Sequence, residues 1–179
     1  GSRSDWIHSP KLALILSPWD RTEVFASAGY GFHSNDARGM TARVTARGGE
    51  PIDPAVPLVR SRGTELGLRN EWLPGLQSSL AIWQLKLDSE LVFVGDAGET
   101  EPNGGSQRRG IEFNNHYVLN QHWMLDLDLA WSRARFDEIQ GDEPNAGRHV
   151  PGSVQRVAAL GITFNDLGPW FGQLQLRYF

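Results

Sequence analysis

The segment from residue 123 to 131 alternates strictly between two kinds of side chain. One parity is wholly apolar and has a tryptophan at each end: Trp123, Leu125, Leu127, Leu129 and Trp131. The other parity carries Asp126 and Asp128. Because successive side chains of a strand point to opposite faces, this pattern predicts a β-strand with one apolar and one charged face. A helix would mix both aspartates among the leucines.

The two tryptophans lie eight residues apart, which is roughly 26 Å along a strand. At a tilt of about 40° this corresponds to a height of roughly 20 Å, near the ~25 Å apolar band of outer-membrane barrels. A soluble sandwich strand with two core tryptophans fits this segment equally well, so the rest of the chain has to decide.

Composition narrows the function classes. The chain has 179 residues, a net charge of −4 and no cysteine. The net negative charge does not indicate nucleic-acid binding. Without cysteine the chain has neither disulfide bonds nor thiol chemistry. No apolar run reaches the ~18 residues of a membrane helix, which leaves spanning by short alternating strands open.

Eight alternating segments and no helix pattern are predicted within one all-β domain over residues 1–179. The segments are about 9–17, 22–32, 59–72, 76–94, 107–119, 123–136, 151–165 and 170–179. Short turns alternate with three long polar loops, 33–58, 95–106 and 138–149. This order predicts an antiparallel up-and-down transmembrane β-barrel, with all short turns at one end. In the fourth segment, Trp83 and Leu85 are predicted on the apolar face and Lys86 on the charged face.

Aromatic residues recur at the predicted strand ends. Trp19, Trp72, Trp123 and Trp170 lie at or beside the four short turns. Trp131 and Tyr178 follow Trp123 and Trp170 by eight residues on the same parity. These positions predict aromatic girdles at membrane interfaces. A soluble barrel of lipocalin type alternates in the same way but turns its apolar face inward, and the period alone does not separate the two.

The charged parity is predicted to face the lumen of the barrel. It includes Glu65, Arg69, Glu112, Asp126, Asp128 and Arg177. Buried charges need partners, so these groups would pair with one another in a small barrel or face a plug in a larger one. Asp126 and Asp128 also resemble an acid–base pair, but in mid-strand a structural ion pair is the commoner arrangement. No catalytic residue, enzyme activity or cofactor is predicted.

The long loops contain the candidate metal ligands. His33 and Asp36 lie in the first loop, and the acidic residues Asp96, Glu99, Glu101, Asp137, Glu138, Asp142 and Glu143 lie in or beside the other two. No second histidine stands at ligand spacing, and the spacing of an EF-hand is missing. The interpretation is solvated loop charge, and no metal site is predicted.

Five stretches combine strand alternation with fixed glycine and arginine positions. They are Phe25-Ala-Ser-Ala-Gly-Tyr-Gly-Phe-His-Ser-Asn-Asp-Ala-Arg-Gly39, Ser61-Arg-Gly-Thr-Glu-Leu-Gly-Leu-Arg69, Leu85-Lys-Leu-Asp-Ser-Glu-Leu91, Arg108-Arg-Gly-Ile-Glu-Phe113 and the closing residues 174–178. In these stretches the chain resembles the C-terminal barrel of TonB-dependent outer-membrane receptors.

The resemblance implies a barrel of about 22 strands closed by an N-terminal plug. It also implies energised uptake, across the bacterial outer membrane, of a scarce ligand such as an iron–siderophore, cobalamin or a sugar. The implied partners are membrane lipid, the barrel assembly machinery, a small-molecule ligand captured by the long loops, and TonB, which is reached only through the plug. The sequence shows no plug and no TonB motif. Its last residue, Phe179, shares parity with Arg177 on the charged face, whereas a terminal signal for barrel assembly would place its aromatic residue on the apolar face. An internal segment of a larger receptor is therefore expected.

Two alternatives stay open. A stand-alone eight-stranded outer-membrane barrel with a structural or adhesive role predicts that the first strand pairs with the last. A soluble lipocalin-like binder of small molecules predicts that Leu125, Leu127 and Leu129 point inward.

Overall fold

A computed structural model describes residues 4–34, 40, 43–44, 49, 51, 56–94, 99–138 and 147–179. The strands are β1 (Lys11–Trp19), β2 (Thr22–Ser34), β3 (Leu58–Leu73), β4 (Leu76–Leu87), β5 (Glu90–Val94), β6 (Glu99–Asn103), β7 (Ser106–Val118), β8 (Trp123–Phe136), β9 (Arg156–Leu167) and β10 (Trp170–Tyr178). Among these residues, no helix has the length and apolar character needed to cross a membrane.

Eight strands form one antiparallel sheet in the order β1-β2-β3-β4-β7-β8-β9-β10. Apart from β5 and β6, which lie between β4 and β7 in the chain and form a separate two-stranded sheet, each strand pairs with its neighbours along the chain, and the predicted all-β up-and-down fold is confirmed. The two outermost strands, β1 and β10, each pair on one side only. The pairing of first and last strand that a stand-alone barrel requires is thus not seen in these two strands.

The register of the ladders fixes which residues share a face, because directly paired residues point the same way. One row crosses four strands through Leu66, Ile82, Ile111 and Trp131. A second row, on the opposite face, passes through Arg69, Ser79, Asn114, Asp128, Ala159 and Arg177. The sheet thus has an apolar face, which includes the first row, and a polar face, which includes the second.

The short turns are built by local backbone chemistry. Gly75 has a φ of 81°, which glycine adopts without steric cost, and its carbonyl accepts a hydrogen bond from Val118 N at 2.9 Å. The Asn120 side chain accepts from the backbone N–H groups of His122 and Trp123 at 2.8 and 3.0 Å. An asparagine that binds its own backbone in this way stabilises a turn, so the entry of β8 is fixed at Trp123.

The fourth predicted strand is wrong in its length. It was expected to run to residue 94, but β4 ends at Leu87, and β5 and β6 form a separate two-stranded hairpin. Asp88 N still donates to Arg60 O at 3.0 Å, after which the chain leaves the large sheet. Part of the predicted loop 95–106 is therefore strand.

The predicted faces of this fourth strand are also wrong. Trp83 pairs with Glu65 and Gly110, whereas Lys86 pairs with Arg62 and Gln107 on the other face. Both parities of β4 carry large apolar side chains, so alternation within the strand did not identify the apolar face. The neighbouring strands identify it, because Leu66 pairs with Ile82.

The apolar face is open along its length. Leu66, Ile82 and Leu129 keep 49%, 50% and 41% of their surface exposed. The buried apolar side chains lie instead at the long-loop end, where Ala134, Phe136 and Val150 form a small cluster. Leucines that pack in a protein core are buried. An exposed apolar surface of this size therefore indicates contact with an apolar partner outside the sheet.

Candidate functional site

The polar face of the sheet carries the charged residues that the sequence singled out. The ladder pairs Arg69 with Glu23, and Asp128 with Asn114. Glu65 pairs with Trp83, and Glu112 with Ala81. All six predicted lumen residues, Glu65, Arg69, Glu112, Asp126, Asp128 and Arg177, share this face by register. Whether the face borders a lumen stays a prediction.

An ion pair and a histidine–carboxylate hydrogen bond bridge neighbouring strands on this face. Arg69 Nη1 lies 3.1 Å from Glu23 Oε2, and His116 Nδ1 lies 2.6 Å from Asp126 Oδ1. Both pairs are partly exposed, with side-chain exposures between 38% and 61%. Pairs in contact with water contribute little to stability, so these groups stay available to an additional partner.

Asp126 and Asp128 do not act on a common partner. Asp126 binds the ring of His116, and Asp128 pairs by register with Asn114 and Ala159. The two carboxylates thus belong to different rows of the ladder. Hydrogen-bond donors and acceptors are thus spread over many strands of this face.

A shallow hollow of about 600 Å³ lies on the polar side of β2–β4. Glu65, Trp83 and Glu112 line it together with backbone from two glycine-rich strands. The Trp83 ring lies against Gly110, where an added Cβ would come within 2.7 Å of Trp83 Cζ2. The Trp83 indole nitrogen is buried without a hydrogen-bond partner among the described residues. A donor of this kind is costly unless something accepts from it.

Sequence reasoning missed Trp83 as a residue of this face. The glycines of the adjacent strands could have indicated it, because Gly63 pairs with Leu85 and Gly110 pairs with Trp83 in the ladder. A glycine opposite an aromatic residue leaves room for the ring to lie flat on the neighbouring strand. Phe25 repeats the arrangement, because a Cβ at Gly67 would collide with its ring.

The predicted girdle residues lie on the apolar side of the strand ends. Trp19, Trp72, Trp123 and Trp170 stand at the short-turn ends of β1, β3, β8 and β10. Trp72 and Trp170 are 69% and 71% exposed. Trp131 and Tyr178 lie toward the opposite ends of β8 and β10. Their role at a lipid interface stays a prediction.

The loop residues considered as metal ligands fall mostly outside the described part. Asp36, Asp96, Asp142 and Glu143 are not among the described residues, and the side chains of Glu99 and Glu101 are not described. Within the ranges that the structure does cover, no group of three histidine or acidic side chains is arranged to hold a metal ion.

The sequence matches the family described as "TonB dependent receptor-like, beta-barrel" over residues 1–179. The chain therefore belongs to the β-barrel family of TonB-dependent receptors, as the resemblance predicted. This family consists of receptors and transporters of the outer membrane of Gram-negative bacteria. Membership in this family stands against the soluble lipocalin-like alternative. No curated protein sequence matches the chain.

Solved structures with the same fold come from this family. "Copper transporter OprC" superposes with a TM-score of 0.67 at 18% identity, covering 94% of this chain and 25% of that one. The FrpB iron transporter from Neisseria meningitidis gives 0.60 at 16%, covering 92% and 26%. FpvA from P. aeruginosa, bound to pyoverdine and iron, gives 0.62 at 16%, covering 89% and 20%. The chain thus spans about a quarter of the length of these neighbours.

Proposed function

We propose that this chain forms part of the barrel wall of a TonB-dependent receptor that takes up a scarce metal or metal chelate across the bacterial outer membrane. Support comes from the family match over residues 1–179 and from the separation of the two faces. The neighbours of known structure are described as a copper transporter, an iron transporter and a receptor bound to ferric pyoverdine. An iron–siderophore is the ligand we favour, and copper is the second candidate.

In this proposal the apolar face contacts lipid and the polar face borders the lumen. Exposed leucines on one side and charged side chains on the other are the pattern of a wall between hydrocarbon and water. The carboxylates of Glu65 and Glu112 then face whatever fills the lumen. Lipid, the barrel assembly machinery and, through a plug, TonB are the partners of the whole receptor. We propose no enzymatic role.

Uptake in cells tests the ligand. The receptor gene is deleted, and uptake of a labelled ferric siderophore and of labelled copper is followed with and without a protonophore. We expect one of the two metals to lose its energised uptake and to regain it when the gene is restored. Unchanged uptake of both metals would contradict a role in metal import.

Detergent dependence tests the membrane placement separately. The intact receptor is expected to fold only in detergent or lipid and to migrate faster on a gel before heating than after it. A monodisperse β-rich protein in buffer without detergent would contradict the membrane placement, whatever the uptake experiment shows.

A further inference from the structure

The apolar face changes character abruptly toward the long-loop end. The row through Leu66, Ile82, Ile111 and Trp131 is apolar across β3, β4, β7 and β8, and it continues to Arg156 on β9. The next two rows on the same face are Thr64, Gln84, Arg109 and Arg133, then Arg62, Lys86, Gln107 and Arg135. Within one or two residue pairs, the surface therefore passes from hydrocarbon side chains to cations.

A groove lies on the apolar side of this boundary. It has a volume of about 520 Å³ and is lined by Leu66, Ile82, Ile111 and Trp131. Arg109 lines its upper margin. Thr64, Glu65 and Gln84 also line the groove, which therefore combines an apolar surface with polar groups and the cation of Arg109, as a site for an amphiphile requires.

Four arginines form what we call the arginine patch: Arg109, Arg133, Arg135 and Arg148. They surround two adjoining hollows of about 530 and 220 Å³. Among the described residues, no carboxylate forms an ion pair with any of the four. Asp137 also lines the smaller hollow, but the patch keeps a surplus of positive charge.

The position of Arg148 is set by the backbone around it. Phe136 N donates to Arg148 O at 2.7 Å, and the neighbouring His149 bridges to Arg135. Val150 then enters the buried cluster with Ala134 and Phe136. Arg148 is thus held beside β8 before any ligand arrives, which lowers the ordering cost of binding.

We propose that the arginine patch and the groove below it bind a lipid with a phosphorylated headgroup from the membrane leaflet on the long-loop side. Guanidinium groups bind phosphate oxygens through paired hydrogen bonds, and several together match a headgroup with more than one negative charge. Basic clusters beside an apolar membrane surface recognise anionic headgroups. An acyl chain of the same lipid lies in the groove along Ile82 and Ile111.

The proposal rests on the membrane placement proposed above and is independent of the imported ligand. The test uses the intact receptor in a non-ionic detergent, and native mass spectrometry counts the lipids that it retains. The probes are phosphatidic acid, phosphatidylcholine with the same chains, and glycerol 3-phosphate, which has the headgroup phosphate without chains. We expect phosphatidic acid to be retained roughly tenfold more tightly than phosphatidylcholine and glycerol 3-phosphate not to displace it.

Matched variants locate the site. The double variant Arg133→Gln/Arg135→Gln is expected to retain phosphatidic acid no better than phosphatidylcholine. The control Arg69→Gln/Arg177→Gln removes the same charge from the polar face and is expected to bind like the wild type. Heat-modifiable migration confirms that each variant folds, so failure of the membrane placement is seen separately.

Three results would overturn the proposal. Equal retention of the two lipids by the wild type would show that phosphate is not recognised. Unchanged binding by the arginine variant would place the lipid elsewhere. Displacement by glycerol 3-phosphate as effective as by phosphatidic acid would make this a site for soluble phosphate.

Discussion

The indole of Trp83 on β4 lies against Gly110 on β7, with no space for a side chain between them. A Cβ at Gly110 would come within 2.7 Å of Trp83 Cζ2 and within 2.6 Å of the backbone oxygen of Trp131. The glycine therefore fixes both the position of the ring and the spacing of β7 and β8.

The first prediction follows from this contact. Gly110→Ala is expected to lower the free energy of unfolding by about 1–3 kcal/mol, because the added methyl group overpacks a rigid backbone. The measurement is urea unfolding of the intact receptor in lipid vesicles. Gly63→Ala is the matched control, because no atom lies within 4 Å of its added Cβ. Equal stability of the two variants would contradict the close approach of Trp83 and Gly110.

The second prediction concerns the face that we assign to lipid. Leu127→Arg is expected to cost about 2–4 kcal/mol of stability in vesicles, because a guanidinium at mid-membrane depth is poorly solvated. Asn114→Arg, on the polar face beside Asp128, is the control and should unfold at nearly the wild-type urea concentration. If the control were the more damaging of the two, the lipid face would have been assigned to the wrong side.

A third prediction concerns the ion pair between Glu23 and Arg69. A double-mutant cycle with Glu23→Gln and Arg69→Gln should give a coupling energy below about 1 kcal/mol, because both side chains are well exposed. The coupling should shrink further at high salt, where the attraction is screened. A coupling of several kcal/mol would indicate that a plug covers the pair in the intact receptor.

The turn before β8 yields a fourth prediction. Asn120→Ala removes the acceptor for two backbone N–H groups and should cost about 1–2 kcal/mol. Gln121→Ala changes the adjacent exposed residue and should leave stability within about 0.5 kcal/mol of the wild type. The urea midpoints of both variants in vesicles decide the matter, and equal loss in the two would refute a specific role for Asn120.

The order of the sheet strands could be predicted from the sequence because alternation and turn length are local properties. The segment from Trp123 to Phe136 forms β8 as expected, since its leucines and aspartates separate cleanly. In β4 both parities contain large apolar residues, Leu80 and Ile82 in one and Trp83 and Leu85 in the other, so the strand alone does not show which parity belongs to the apolar face. Only pairing with Leu66 and Gly110, on other strands, decides between them.

The candidate sites show the same division between local and long-range information. The charges of the polar face could be predicted because, within each strand, they have one parity and the apolar residues have the other. The arginine patch could not be predicted, because Arg109 and Arg148 are 39 positions apart and meet only through the ladder of β7 with β8 and the bridge at His149.

The one-sided pairing of β1 and β10 makes each margin of the sheet a template for another strand. Every residue of β1 is exposed, and its outward amide and carbonyl groups have no ladder partner within the sheet. In hydrocarbon each such group costs several kcal/mol, so the margins attract an incoming strand strongly. The added strand also has to match the alternation of apolar and polar residues in the edge strand with which it pairs. Leu12 and Leu14 thus determine which side chains of an added strand join the apolar face that we assign to lipid, and the two-faced pattern extends from strand to strand.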